Sequence, residues 1–178
     1  MKNIKVMSRN EAVAYSYRKD VPKYIIISIS CLDDTAPIFY TYPKGEHRCE
    51  GVLKLWFNDI ERDYGDSIAP RQGDFAGLKA FIDTFKDNPE VEDIIVHCAA
   101  GISRSSATAA AICKYLNLDE LKIIWNNPHF VPNSLVYKLT LNELGIEWDE
   151  AQFAYYLAIN KLERDKLEIP EDIENLFK

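Results

Sequence analysis

The chain has 178 residues, enough for one domain with a real core. Apolar residues make up 47% and charged residues 28%, an ordinary globular balance. A net charge of −7 argues against a general nucleic-acid binder, which needs a basic surface, but leaves room for a locally positive pocket.

Lys2 to Met7 reads as a short first strand. Ser8 and Glu11 then form a capping box, opening a helix to about Arg18. Tyr24 to Ser30, YIIISIS, is a β-branched run short enough for a buried strand. Residues 31–50 mix Pro, Asp, Gly and aromatics and read as a loop, and GVLKLWF (Gly51 to Phe57) as a further strand. Asn58 to Gln72 is polar, with Gly65 and Pro70, and reads as a second loop. From Asp74, the residues Phe75, Leu78, Ile82 and Phe85 recur at helical spacing, and Asn88-Pro89 stops the helix. Asp93 to His97 is a short apolar strand, CAAGIS a turn, and RSSATAAAICKYL a small-residue helix able to pack closely on a sheet. Two helical stretches follow, Asp119 to Asn126 and Ser134 to Leu144, then an aromatic-rich helix from Trp148 to about Asp165. Strands alternating with helices predict one α/β domain over 1–178, with a mostly parallel central sheet flanked by helices. Its core spans about 20–145, its C-terminal helix about 148–165, and a polar tail 168–178.

No apolar run approaches the roughly 18 residues a spanning helix needs, and the opening MKNIKVMSRNEA lacks a signal peptide's apolar stretch. The expectation is a cytoplasmic chain with no membrane or nucleic-acid partner. Cys31, Cys49, Cys98 and Cys113 form no Cys-x-x-Cys pair, and His47, His97 and His129 do not fall at zinc-ligand spacing with them. In a reducing compartment such thiols stay free.

The informative stretch is His97-Cys98-Ala99-Ala100-Gly101-Ile102-Ser103-Arg104-Ser105-Ser106. A phosphate monoester is a dianion. It needs several donors around its oxygens and a nucleophile opposite its leaving group. A strand ending at His97 delivers Cys98 to the carboxyl edge of the sheet, where open α/β sheets bind ligands. The residues Ala99 to Ser103 are small or compact around Gly101, which can take positive φ, so their N–H groups can curl inward as an anion nest. A helix starting near Arg104 aims its positive end at the same point, and the guanidinium can hold two phosphate oxygens. The same field holds Cys98 as a thiolate. His97 is expected to support the loop from behind, and Ser105 to donate to the sulfur. The alternative is a buried cysteine that happens to stand near a surface arginine.

HCAAGISRSS resembles the His-Cys-x5-Arg-Ser/Thr signature of the cysteine-dependent protein phosphatases, and in length the chain is similar to their compact dual-specificity and bacterial members. The resemblance covers about residues 20–145, and its specific part is those ten residues. It implies a phosphatase-like fold and an enzyme acting on a phosphorylated protein or a small phosphate ester, with no cofactor and no metal. It implies Cys98 as the nucleophile that forms a phosphocysteine, which water then hydrolyses. The loop Ala99, Ala100, Gly101, Ile102, Ser103 with Arg104 would bind phosphate. It also implies a general acid on a loop after an earlier strand. Asp59, directly after GVLKLWF, is the first choice, with Asp63 and Asp66 on the same loop as alternatives.

The uncharged Ala99, Ala100, Ile102 and Ser103 argue mildly against inositol phospholipids. Phe39, Tyr40 and Tyr42 could wall a phosphotyrosine pocket or anchor a loop. Pro132-Asn133 reads as a helix N-cap, with the resemblance implying as the alternative a helix start that supports the signature loop; Cys113 reads as core filler, and Cys31 or Cys49 as a reversible disulfide partner of Cys98. Competing readings are a rhodanese-like sulfurtransferase and a non-catalytic phosphate-binding module.

Overall fold

The computed structural model describes residues 2–32 and 48–168. The run KYIIISIS forms a strand buried along nearly its whole length. Burial on both faces explains why it reads as continuously apolar rather than alternating. Its residues still divide by face: Ile25, Ile27 and Ile29 enter the larger of two cores, while Tyr24 and Ile26 enter the smaller. Each fully buried isoleucine contributes roughly 1.5–3 kcal/mol.

Four such strands make an all-parallel sheet: β1 (Asn3–Ser8), β2 (Lys23–Ser30), β3 (Cys49–Trp56) and β4 (Val91–Cys98), in the order β1-β4-β2-β3. The helices are α1 (Arg9–Ser16), α2 (Leu78–Phe85), α3 (Arg104–Tyr115), α4 (Ser134–Glu143) and α5 (Glu150–Glu168). Helix α1 supplies Ala12 and Tyr15 to the smaller core, while α2 to α5 supply the larger. This is the predicted α/β architecture. Among the described residues, no helix is long and apolar enough to cross a membrane.

The capping box forms as expected: Glu11 N–H donates to the Ser8 hydroxyl, and Ser8 N–H to the Glu11 carboxylate. The Ala-rich α3 packs against β4, β1 and α4, with Ala107, Ala109, Ala110 and Ala111 fully buried. Small side chains are what permit that close approach. Cys113 is fully buried in the same helix, as core filler should be.

The aromatic-rich α5 is a packed helix. Tyr156 stacks on Trp125 at 5.3 Å and Phe153 on Tyr137 at 5.7 Å. The buried Asn160 side chain donates to the carbonyls of Trp125, Asn127 and Phe130 at 3.1–3.2 Å. Three carbonyls outside any helix ladder are thereby satisfied.

Three expectations are corrected. The helix predicted from Asp74 is broken: Gln72–Phe75 is a 3₁₀ turn, Gly77 sits at φ +85°, and α2 begins only at Leu78. A left-handed residue cannot continue a right-handed helix, and glycine is the residue that adopts it without strain. Within the stretch predicted as a helix over 119–126, Leu121–Trp125 is a single π-helical turn. Cys49 and Glu50 belong to β3 rather than to the preceding loop. Phe39, Tyr40, Tyr42 and His47 lie outside the described residues, as does the tail from 169.

Candidate active site

Register fixes what sits where. Because all four strands run parallel, their carboxyl ends lie along one edge of the sheet. Ser8 stands beside Cys98, and Ser28 beside His97. Strand β4 therefore ends with Cys98 flanked by the start of α1 on one side and the exit of β2 on the other.

The turn after Cys98 is shaped by its neighbours. Gly101 has φ +75°, and a Cβ there would lie 2.5 Å from the Ser8 nitrogen. Only glycine fits, since both the backbone angle and the space forbid a side chain. The loop's carbonyls are engaged from outside. Arg9 N–H donates to Ala99 O at 3.1 Å, Val131 N–H to Ile102 O at 3.0 Å, and Ala107 N–H to Ser103 O at 3.0 Å. The Ser106 hydroxyl donates to the carbonyls of Ile102 and Ser103. Among the described residues no backbone carbonyl takes the N–H of Ala100, Gly101, Ile102 or Ser103. Carbonyls turned outward and amides free of carbonyl partners is the polarity of an anion nest.

Cys98 is only 2% exposed. Burial by itself pushes its thiol up. The Ser105 hydroxyl, the backbone N–H groups of Ser105 and Gly101, and the Arg104 charge overcome that and hold it below the ordinary thiol range. The sulfur lies 3.2 Å from the Ser105 oxygen; once the sulfur is ionised, the hydroxyl is the donor. Burial drives Cys113 the other way, to about 12.

Arg104, the first residue of α3, is 4% exposed. Its Nη1 donates to Phe57 O at 2.9 Å and to the Cys31 sulfur at 3.2 Å. Its Nε has no hydrogen-bond partner among the described residues. Among the described residues, the nearest carboxylate oxygen to it is Asp59 Oδ2, at 3.8 Å. A buried cationic donor without an acceptor is costly unless an anion visits.

Of the three candidate acids, Asp59 alone meets this site. Its Oδ1 accepts from the Ser103 hydroxyl at 2.8 Å and from Asn133 Nδ2 at 3.1 Å. Asp63 is committed elsewhere: the N–H of Ala69 and the Arg71 guanidinium hold its carboxyl below the usual range. Asp66 is exposed on the loop.

His97 is fully buried, and its Nδ1 lies 3.4 Å from the Cys98 carbonyl. Since that oxygen can only accept, Nδ1 carries the ring proton. Burial, reinforced by the charge of Arg9, pushes the imidazole down to about 4, so it stands neutral behind the loop at ordinary pH.

The two candidate disulfide partners separate. Cys49 pairs with Tyr24, which also stands beside Asp93, five residues before Cys98. At about 3.3 Å per residue this leaves roughly 16 Å, far beyond disulfide reach. Cys31 lies at the carboxyl edge, but its sulfur is occupied by Arg104.

Sequence reasoning gave Asn133 an N-cap or a loop-supporting helix start, and Ser103 a place in the phosphate-binding loop, but linked neither to Asp59. The cap is present, with Val136 N–H donating to Asn133 Oδ1 at 3.0 Å, but the other end of the same amide reaches Asp59. A further contact went unforeseen: the Glu61 carboxylate accepts from the N–H and hydroxyl of Ser134. Local pattern carries no signal for such pairs, because their partners are 44 to 74 positions apart. No family model, curated protein or solved structure matches this chain.

Proposed function

We infer that this chain hydrolyses phosphate monoesters through a phosphocysteine intermediate, as a protein phosphatase of the tyrosine or dual-specificity type. One observation carries the reading: a buried guanidinium keeps a donor uncommitted beside a sulfur that its surroundings favour as the anion. A dianionic phosphoryl group answers both, filling the loop's amides and the Arg104 Nε.

The chemistry then runs in two displacements. The Cys98 thiolate attacks phosphorus as the bond to the leaving oxygen breaks, and Asp59 gives that oxygen a proton. Asp59, now a carboxylate, takes a proton from water as the water oxygen attacks phosphorus. The phosphorus–sulfur bond breaks, inorganic phosphate forms, and the Ser105 hydroxyl donates to the departing thiolate. Loop amides and Arg104 stabilise the transferring group throughout, where charge is greatest.

The test is hydrolysis of para-nitrophenyl phosphate at mildly acidic pH with chelator present. Cys98→Ser and Arg104→Ala should abolish turnover. Asp59→Asn should lose little on this ester, whose leaving group needs no proton, and much on a phosphotyrosine peptide. If Asp63→Asn is the crippled variant instead, the acid is misassigned. Sulfur transfer from thiosulfate to cyanide, with no phosphatase activity, would replace this reading with a sulfurtransferase.

A further inference from the structure

Asn133 bridges two jobs with one amide. Its Oδ1 accepts the Val136 N–H at the head of α4, so the orientation of the amide is set by the cap. The NH₂ end must therefore face Asp59, and it cannot accept. The Ser103 hydroxyl bonds the same Oδ1. Two neighbouring contacts tie down the surroundings: Val131 N–H holds the Ile102 carbonyl of the signature loop, and Ser134 holds Glu61 of the acid loop. The start of α4 thus clasps both loops at once.

We propose that Ser103 and Asn133 are positioning residues that reserve Asp59 Oδ1 for themselves and leave Oδ2 to carry the transferable proton. Oδ2 is the oxygen facing Arg104, 3.8 Å from its Nε, and so faces the site where the phosphoryl group would lie. A carboxyl held this way presents its proton from the correct oxygen without searching two rotamers. After the first displacement, the same two donors hold the carboxylate in place to receive the proton from water. The acid loop is accordingly clasped before substrate arrives. This inference rests on the phosphatase reading and deepens it.

Asn133→Ser and Asn133→Asp both keep a good N-cap but remove the amide donor. Ser103→Ala removes the other donor and keeps the loop backbone. Each is compared with the wild-type chain on para-nitrophenyl phosphate and on phenyl phosphate, whose leaving group needs a proton. General acid–base help is worth roughly 10²–10⁴-fold, so kcat on phenyl phosphate should fall about tenfold per lost donor, and in each variant that loss should exceed the loss on para-nitrophenyl phosphate by about fivefold or more. The Ser103→Ala/Asn133→Ser double variant should approach Asp59→Asn. As a check without turnover, the Asn133 side-chain amide resonance should shift in Asp59→Asn.

If Asn133 only caps α4, both cap-preserving variants will match wild type on phenyl phosphate, and the proposal is overturned. Equal losses on both esters overturn it too, because they report general damage. An absence of wild-type turnover on either ester sinks the phosphatase reading, and this proposal falls with it.

Discussion

The two ends of β4 each bury a polar group beneath the sheet edge, and they treat it in opposite ways. At the amino end, Asp93 is fully buried and completely answered. Lys5 Nζ lies at 2.5 Å, the Tyr15 hydroxyl at 2.6 Å and Asn3 Nδ2 at 3.0 Å. Burial alone would raise its carboxyl; these three donors more than offset that and hold it low. At the carboxyl end, Cys98 is equally buried, but the donors around it exceed the acceptors present. The first end is a closed account that pins edge strand β1 and helix α1 to the sheet. The second is open, with a shape and charge that call for an anion. Polar burial marks a functional site only when it is incomplete.

The sharpest way to break the contrast is through the thiols. At neutral pH iodoacetamide should modify Cys98 at least ~10³-fold faster than Cys113, since a thiol near 12 is almost never ionised there. Peptide mapping by mass spectrometry reads the ratio. Arg104→Ala should move the pH midpoint for Cys98 upward. Comparable rates at the two sulfurs would remove the basis for calling the carboxyl end reactive.

Next comes the closed end. Asp93→Ala leaves buried Tyr15 without its acceptor and should destabilise the chain by about 3 kcal/mol, the low end for a broken pair because Lys5 still reaches solvent. In a domain of this size that is a drop of roughly 6–12 °C in Tm. Activity per folded molecule should be unchanged. A depressed carboxyl contributes stability above its unfolded value of about 3.9 and loses it as pH falls through the folded one. The difference between wild type and Asp93→Ala should therefore be full at neutral pH and shrink only below about pH 4, as thermal melts would show.

A smaller effect on stability is expected for Gly101→Ala, roughly 1–3 kcal/mol for strained left-handed backbone. Because the added methyl meets the Ser8 nitrogen, the loop must shift. On the proposed reading, turnover of para-nitrophenyl phosphate should then fall much more than thermal stability does, which is the opposite of Asp93→Ala.

Much of this was legible in the chain itself. The apolar runs in β2 and β4 and the Ala-rich α3 announced a layered α/β fold, because burial on both faces leaves few polar positions to confuse the pattern. Ser8 and Glu11 form their capping box at short spacing and could be read directly, and the same short spacing predicts that Cys98 and Arg104 share one turn. The breaks at Gly77 and at the π turn were not visible, since apolar periodicity continues across both. Asp59 could be narrowed to one loop but not separated from Asp63 and Asp66. The choice depends on Ser103 and Asn133 meeting it, and on Arg71 drawing Asp63 away, contacts that only the tertiary fold creates.

Burial of the neutral His97 carries a practical cost. An unfolded histidine takes up a proton near pH 6.5, whereas this one resists until about 4, so between those values acid favours the unfolded chain over the folded one. Mild acidity would aid any step that needs a protonated carboxyl, yet it weakens the scaffold behind Cys98. The useful acid range is bounded by endurance of the fold as well as by the chemistry it hosts.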